Sequence, residues 1–435
     1  MNQYFYQSLV LSIVIGATIA QEQPAQNESS LDEVSIPVLV TEALANNPEI
    51  AFYRAEIEAV RADRKTATTR SNPDADFELG RKRSRSREGS MSDEGMAWGV
   101  SVSQTFEWPN RLALRKAIAG RQVELAEIGL AQFQRELANE VQRAAFKLLI
   151  AQEKRDAALN VAQRGEELVA ALLQREPAGT SPLIESRIIQ ANVLTLKRRA
   201  IEAAAEAQAA LLELNQLRGA AIGTPLRVGP VKLRFSNLND ADSFIALART
   251  NSFDIKSRVV ELEQQGLRVD LARNERFPAF TVRPFFSQED ASEREQVAGV
   301  GVSVPLPLWN RNKGNIEAAQ SRQEQAQVAL TVAQRNIETQ LRESLARYEL
   351  NRREIDRWRT DLVDQLEEAA DLADRHYRLG SVPVATYVEM QDKYLEALDA
   401  VLDTQAEALS ALQTLERLTG VPLGNVTDSQ KGTAK

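Results

Sequence analysis

Few residues of this chain have the chemistry of a catalytic or metal-binding site. The 435 residues include one histidine, His376, four methionines and no cysteine, so ligands for soft metal ions are almost missing. The sequence has no glycine-rich phosphate loop and no clustered serine, histidine and aspartate motif. Its many carboxylates lie in helix-forming segments, where they usually provide solubility and pair with nearby cations. The sequence therefore predicts no enzyme activity, no catalytic residues, no metal site and no cofactor.

The charged residues also limit the kinds of partner. With a formal net charge of −8, the chain is not expected to bind nucleic acid. A basic run from Arg81 to Arg87 precedes the acidic pair Asp93 and Glu94, and it is predicted to be a loop between two strands. Two interpretations of this loop stay open: a solvated surface segment, or a contact with anionic lipopolysaccharide.

The elements that would position any functional residue occur twice. Residues 98–111 return, with substitutions, as residues 300–311, and residues 214–219 return as residues 415–420. The spacing is nearly constant, which indicates an internal tandem duplication. The predicted repeats are residues 39–219 and 241–420. They are joined by a connector at 220–240 and followed by a polar tail at 421–435.

The N-terminal segment is predicted to direct export. Residues 9–20 are apolar and end in small residues, which is typical of a secretory signal peptide, here residues 1–20. Residues 21–38 are polar and are predicted to be a flexible leader. No other segment approaches the run of about eighteen apolar residues that a spanning helix needs, so no transmembrane helix is predicted.

Two segments of unusual length are predicted to be helices. Residues 110–175 contain no proline and residues 315–379 contain neither glycine nor proline, and both segments are rich in strong helix formers. Shorter helices are predicted at 39–70, 183–218, 241–276 and 384–419. In the first repeat the two short helices together are about as long as the long one, so they are expected to stack end to end beside it. Such amphipathic rods need partner helices along their length.

Each repeat also contains a pattern of period two, which predicts a β-hairpin before the long helix. The apolar members of this pattern are Trp98, Val100, Val102 and Phe106 in the first repeat, and Val300, Val302 and Val304 in the second. Partner strands are predicted at 76–80 and 280–286. Strands of about ten residues can cross an outer membrane at a tilt. A soluble hairpin packed on the helices is the alternative.

The number of predicted strands bears on the number of chains. Four strands cannot close a barrel, because membrane-spanning barrels begin at about eight strands. An open sheet edge is not tolerated in lipid, since its backbone groups would have no hydrogen-bond partners. Several chains must therefore share one barrel if the hairpins lie in a membrane, and three copies would supply twelve strands.

The chain resembles the TolC-type outer membrane efflux proteins over both repeats, from about residue 39 to residue 420. The resemblance is carried by the paired strand-to-helix junctions, by residues 377–381 at the end of the second long helix, and by the closing residues 415–420. Residues 305–319 resemble the heavy-metal-efflux branch. The resemblance implies an α+β membrane protein: a homotrimeric channel-tunnel with a shared twelve-stranded barrel in the outer membrane of a Gram-negative bacterium and a periplasmic α-barrel of long helices.

The resemblance also implies a passive conduit. Such a channel would contact outer-membrane lipid, dock on a periplasmic adaptor protein and work with an inner-membrane pump of the resistance-nodulation-division type. The branch suggests heavy-metal cations as the substrate. Two alternatives stay open: a drug-efflux or type I secretion channel of the same fold, and a periplasmic coiled-coil scaffold without a pore.

Two turns between helices are the candidate functional tips. They contain Gly179, Thr180, Ser181 and Pro182 in the first repeat, and Gly380, Ser381 and Pro383 in the second. The resemblance implies that these tips meet the adaptor and close the tunnel. The resemblance implies acidic constriction positions at Thr386 and Glu389, of which only Glu389 is acidic. Glu185, which follows the first tip, is a third candidate for the constriction. A ring of three Glu389 side chains would attract cations; the alternative is an exposed helix glutamate.

Overall fold

The computed structural model describes residues 33–85, 92–173, 180–238, 240–291, 294–358, 362–423 and 426–427. Nine helices lie in these ranges: α1 (Ile36–Asn46), α2 (Pro48–Ala67), α3 (Arg111–Leu173), α4 (Thr180–Leu217), α5 (Ala241–Asn251), α6 (Phe253–Asn274), α7 (Lys313–Arg357), α8 (Leu362–Arg378) and α9 (Val384–Thr419). None of the helices within those ranges is long and apolar enough to span a bilayer. The predicted signal peptide, residues 1–20, and Gly179 of the first tip lie outside the described residues.

The strands form one four-stranded antiparallel sheet and two short pairs. The large sheet has the order β2 (Asp74–Arg85), β3 (Ser92–Phe106), β6 (Phe280–Asp290) and β7 (Arg294–Ser303). The short pairs are β1 (Glu33–Val34) with β4 (Arg227–Val228), and β5 (Lys232–Leu233) with β8 (Val426–Thr427). Both short pairs correct a prediction. Parts of the supposedly flexible leader and tail are held by backbone pairing to the connector at 220–240.

The two repeats have the same order of elements, which confirms the tandem duplication. Each consists of two helices, a hairpin of strands, a long helical segment and a last helix. The last helices α4 and α9 end at Gly219 and Gly420, both with φ of +70°. A Cβ atom would lie 2.6 Å from the Asn46 carbonyl oxygen at Gly219 and 2.5 Å from the Asn251 carbonyl oxygen at Gly420. Glycine alone combines this conformation with so close an approach, so both halves dock in the same way.

The hydrophobic core follows the duplication. In the first half, Leu39 of α1 and Leu214 of α4 belong to one buried cluster that also includes residues of α3. In the second half, Phe244 of α5 and Leu415 of α9 belong to the matching cluster around α7. The contacts between helices give a packed layer in the order α2 with α4, then α3, then α6 with α9, then α7 with α8. This order is the same as that of the strands in the sheet.

Two predicted helices are each interrupted by one extended residue. The predicted helix at 39–70 breaks at Asn47, with φ of −62° and ψ of 124°, because Pro48 disfavours a helical conformation in the residue before it. Asn47 then caps α2, since its Oδ1 accepts the Glu49 N–H at 2.8 Å. The predicted helix at 241–276 breaks at Ser252 without a proline. Ser252 is buried beside the Gly420 turn, so packing rather than local sequence sets this break.

The second long helix is also interrupted, which corrects the prediction of one helix at 315–379. Trp358 is extended, with φ of −74° and ψ of 138°, and it separates α7 from α8. Residues 359–361 lie outside the described residues. The two helices pack into different clusters, α7 around Tyr348 and α8 around Ala370. Helix propensity is a weak local preference, so packing can override it without a glycine or proline.

Candidate functional site

The register of the large sheet places apolar side chains on one face. In an antiparallel pair, residues directly opposite each other lie on the same face. One row of successive partners is Phe77, Val100, Phe286 and Ala298. The same face also carries Leu79, Met96, Trp98, Val102, Phe106, Phe280, Val282, Val300 and Val302. Many of these side chains are exposed in the single chain, including both Phe77 and Val300 at 68 %.

The opposite face of the sheet is small and polar. One row of successive partners is Asp76, Ser101, Phe285 and Gly299. Phe285 is an exception to the polar pattern, and its ring lies over Gly299, where a Cβ atom would be only 2.8 Å from the ring. An apolar face and a polar face on one sheet are typical of a wall between lipid and a water-filled lumen.

The apolar face has the height of a membrane core. About ten residue steps separate Met96 from Phe106 on β3; at about 3.3 Å per residue and a tilt of about 40°, they span about 25 Å. Aromatic pairs mark the end nearest the helices. Phe106 stacks on Phe280 with ring centroids 5.4 Å apart, and Trp108 stacks on Phe277 at 5.0 Å. Aromatic side chains are enriched where a membrane meets water.

Most of the predicted strand residues lie on this face. Four are in β3, namely Trp98, Val100, Val102 and Phe106, and two are in β7, namely Val300 and Val302. Val304 was predicted to be in the strand, but β7 ends at Ser303. The reason is Pro305, which has no N–H to donate to a neighbouring strand and restricts the residue before it.

The basic run was predicted to be a loop, and this prediction was wrong for its first five residues. Residues 81–85 belong to β2, while residues 86–91 lie outside the described residues. Strand pairing brings acidic partners to these cations. Lys82 Nζ lies 2.7 Å from Glu289 and 2.7 Å from Glu295, and Arg83 pairs with Glu94. Two of the charges that suggested a solvated loop, Lys82 and Arg83, are therefore paired with carboxylates on β3, β6 and β7.

The second tip is a tight glycine turn between α8 and α9. Gly380 has φ of +75°, and its N–H donates to the Tyr377 carbonyl oxygen at 2.9 Å. The Ser381 N–H donates to the His376 carbonyl oxygen at 2.8 Å. Pro383 precedes the first residue of α9 in an extended conformation. In the first tip, Thr180, Ser181 and Pro182 form the first turn of α4.

A buried cluster from four helices packs beside the tips; we call it the tip cluster. Its members are Leu168 of α3, Ile189 and Val193 of α4, Tyr377 of α8 and Tyr387 of α9. The two tyrosine rings stack with centroids 5.5 Å apart, and Tyr387 is 1 % exposed. Burial, aided by the nearby Asp374 carboxylate, raises the pKa of Tyr387 to about 12. The tyrosine therefore stays neutral at any physiological pH.

Polar contacts at the tip connect the two halves of the chain. The Tyr377 hydroxyl donates to Glu185 Oε2 at 3.2 Å, which joins α8 to α4. Within α8, Arg378 Nε donates to Asp374 Oδ2 at 2.8 Å, and this bond raises the pKa of Arg378. The sequence reasoning placed Glu185 in the pore constriction and did not identify Tyr377 as its partner. Residues far apart in sequence meet here, and no local pattern could have revealed the pair.

A row of ion pairs continues along the boundary between the halves. Basic side chains come from α3 and α4 of the first half, and acidic ones from α8 and α9 of the second half. Lys154 Nζ lies 2.7 Å from Asp403 and 3.8 Å from Asp399. Two further pairs join Arg164 with Asp371 and Arg199 with Asp399. The boundary therefore combines apolar packing with complementary charge.

The other two predicted constriction residues, Thr386 and Glu389, lie in the first turns of α9. Thr386 is half-buried, and its N–H donates to the Pro383 carbonyl oxygen at 3.1 Å. Glu389 is exposed one turn further along α9. His376 is also exposed, in the last turn of α8. Over the described ranges, no cluster of three or more histidine, cysteine, aspartate or glutamate side chains could hold a metal ion.

Comparison with known proteins identifies the family. The sequence model of the outer membrane efflux proteins matches residues 39–220 and 244–421, so the chain belongs to this family. The resemblance to TolC-type proteins and the duplicated α+β fold are therefore confirmed. The cobalt-zinc-cadmium resistance protein CzcC of Cupriavidus metallidurans is 24 % identical over 318 residues, which cover 72 % of this chain and 75 % of CzcC.

Solved structures show the same fold. The transmembrane channel CusC matches with a TM-score of 0.70 and 16 % identity, over 90 % of this chain and 93 % of CusC. The MtrE outer membrane channel of Neisseria gonorrhoeae, solved in its open state, matches with a TM-score of 0.69 and 18 % identity, over 91 % of each chain. At such identities the likeness concerns the fold.

Adjacent positions on β3 test the assignment of the two faces. Val100→Arg places a charge on the apolar face, where it is expected to cost about 2–4 kcal/mol near the middle of a bilayer. Ser101→Arg is the matched control, because it points to the polar face near Asp76. We expect Val100→Arg to lower the yield of folded protein in outer-membrane fractions and Ser101→Arg to leave it nearly unchanged. Equal losses for both variants would contradict the assignment.

Proposed function

We propose that three copies of this chain form a passive export channel through the outer membrane of a Gram-negative bacterium, with the helices in the periplasm. The observation that carries this proposal is the two-faced sheet with two free edges. Within the described sheet, β2 pairs only with β3 and β7 only with β6. Free backbone groups cannot be left without partners in lipid. Pairing β7 of one copy with β2 of the next satisfies both edges and closes a ring.

The number three follows from the need for a lumen. Two copies would give eight strands, and side chains fill the interior of most eight-stranded barrels. Three copies give twelve strands and a wider interior lined by the polar face. The helices support such a ring, because the two lateral edges of the helical layer, at α2 with α4 and at α7, expose apolar side chains. These are Phe52, Leu194 and Ile201 at the first edge, and Val328 and Leu350 at the second, all at least 57 % exposed.

Disulfide cross-linking tests the ring, and the chain has no cysteine of its own to interfere. We expect Phe77→Cys in β2, combined with cysteines placed in turn along residues 297–302 of β7, to give one register that cross-links neighbouring copies. Under oxidation, bands of one, two and three chains should appear on denaturing gels. The matched control combines Phe77→Cys with Val100→Cys, which face each other within one chain. Bands that stop at two chains or continue beyond three would contradict the trimer.

We place the gate of this channel at the tips. The contact between Tyr377 and Glu185 and the tip cluster hold α8 and α9 against α3 and α4. Glu389 is exposed on α9, two residues after Tyr387 of the tip cluster. In a threefold ring, three Glu389 carboxylates would meet near the axis and favour the entry of cations over anions. Glu185 is assigned to the contact between halves and not to the ring, because its carboxylate already accepts a hydrogen bond from Tyr377.

Two substitutions test the gate and the charge ring independently, through the conductance and ion preference of single channels in planar bilayers. We expect Glu389→Gln to reduce the preference for cations, because it removes the charge and keeps the side-chain volume. Tyr377→Phe keeps the ring stack and removes only the hydroxyl that donates to Glu185, so we expect higher conductance with an unchanged cation preference. Tyr53→Phe, at a stacked tyrosine on α2, is the control for loss of a hydroxyl. Unchanged selectivity in Glu389→Gln would remove Glu389 from the constriction.

We propose heavy-metal cations as the substrate. The support is the similarity to CzcC, whose name denotes resistance to cobalt, zinc and cadmium. The sequence contains no phosphate-binding loop that could use a nucleotide, so energy would come from an inner-membrane pump through a periplasmic adaptor. The chain would then conduct the metal and not select it, which agrees with its few soft ligands.

Resistance measurements distinguish the substrates. Cells that lack their own channel would express this chain with a metal pump of the resistance-nodulation-division type and its adaptor. We expect tolerance of zinc and cadmium to rise several-fold. The Val100→Arg variant serves as the matched negative control. Raised tolerance only to organic drugs, with a drug pump and its adaptor, would favour the drug-efflux alternative. No change with either system, together with a soluble product, would favour the scaffold without a pore.

A further inference from the structure

The segment that joins β7 to α7 exposes an unusual concentration of apolar side chains. Leu306 is 72 % exposed, Leu308 is 61 % exposed and Trp309 is 93 % exposed. Exposed apolar groups of this size, close together, usually mark a surface that another molecule or a membrane covers. The segment directly follows the apolar face of the sheet, at the end nearest the helices. We call residues 304–309 the junction segment.

The matching junction in the first half is packed. Trp108, between β3 and α3, stacks on Phe277 with ring planes only 15° apart and is 40 % exposed. The Arg111 guanidinium donates to the Phe277 carbonyl oxygen at 2.6 Å and holds this contact together. Asn110 and Asn312 both have positive φ and mark the same position in the two halves. The segment between strand and helix is longer in the second half, residues 304–312 against residues 107–110, and its tryptophan is exposed, whereas Trp108 is packed against Phe277.

We propose that the junction segment inserts into the periplasmic leaflet of the outer membrane and anchors each protomer at the boundary between headgroups and acyl chains. The inference rests on the proposed function, because it takes the apolar face to lie in lipid. Tryptophan favours this boundary, where its ring is apolar and its N–H stays near water. Pro305 and Pro307 have no N–H, so the segment buries fewer backbone donors than another sequence would.

Charge next to the junction segment fits a phospholipid surface. Arg311 and Lys313 follow within four residues of Trp309 and are both exposed. Cations beside an aromatic group can reach lipid phosphates while the aromatic group enters the membrane. The same order of groups, from apolar strand through aromatic segment to basic helix start, runs from the membrane core toward the periplasm. The occupant we assign is therefore the lipid headgroup region.

A neighbouring copy of the chain fits the junction segment less well. By the pseudo-symmetry of the halves, the partner of this junction in a ring would be the end of α2 and the residues before β2 of the next copy. The packed junction uses Phe277, which precedes β6, as its aromatic partner. Residues 68–73, which precede β2, are Thr-Thr-Arg-Ser-Asn-Pro and contain no aromatic or large apolar residue. Trp309 would therefore find no counterpart of Phe277 there.

Tryptophan fluorescence tests the inference in reconstituted trimers. The chain has four tryptophans, so three variants can each keep one of Trp98, Trp309 or Trp358 and carry phenylalanine at the others. The bilayers contain phosphatidylcholine and phosphatidylglycerol with bromine near the headgroup or deep in the acyl chains. We expect Trp309 to be quenched several-fold more by shallow than by deep bromine. Trp98 reports the apolar sheet face, and Trp358 reports the periplasmic helices and should not be quenched.

The three reporters separate failure of the inference from failure of the proposed function. Quenching of Trp98 without quenching of Trp309 would overturn the anchor and leave the membrane sheet in place. In that case, quenching of Trp309 by aqueous iodide would place it in water, and protection from both quenchers would place it under a neighbouring copy. If brominated lipid does not quench Trp98, the proposed membrane sheet itself fails. Should a single-tryptophan variant not fold, the difference between the natural chain and Trp309→Phe gives the same comparison.

Discussion

The unpaired edges of the four-stranded sheet are the constraint on which the rest of the structure depends. Each chain brings two hairpins, joined through β3 and β6, and leaves the outer sides of β2 and β7 without backbone partners in the described sheet. A soluble sheet can hydrate such edges, but a sheet in lipid cannot. Because the helices lie in the same order as the strands, their outermost surfaces are unpartnered as well. Ring closure satisfies the strand edges and the helix surfaces in one step.

The duplication simplifies this closure, because the contact between the halves of one chain could be repeated, with little change, between neighbouring chains. Gly219 and Gly420 dock on Asn46 and Asn251 with almost identical geometry, which shows how closely the halves keep a shared backbone. The side chains diverge at the tips and at the strand-to-helix junctions. Those are the two ends of the helical layer, where a symmetric tube must meet asymmetric surroundings. Divergence at these positions is what different partners at the two ends would require.

Periodicity predicted the elements well where an apolar pattern runs without interruption along one face, as in β3 and in α9, whose predicted limits of 384–419 match the structure. It failed where the local residues carry no signal for the structure that forms. Ser252 and Trp358 break helices without a glycine or proline at the break, and the basic residues of β2 are stabilised by Glu94, Glu289 and Glu295 on other strands. The contact between Tyr377 and Glu185 was invisible for the same reason, since its members are 192 positions apart.

With the gate placed at the tips as proposed, the tip cluster would account for a passive channel that needs a partner to open. Any dilation that separates α8 and α9 from α4 must expose Tyr387 and break the bond from Tyr377 to Glu185. Burial of one aromatic side chain contributes about 2–3 kcal/mol and a hydrogen bond about 1 kcal/mol. Three tips opening together would then cost about 10 kcal/mol, so the open state would be very rare without help. A docking protein can shift this equilibrium only by its greater affinity for the open tip, which makes the tip surface the expected place for that difference.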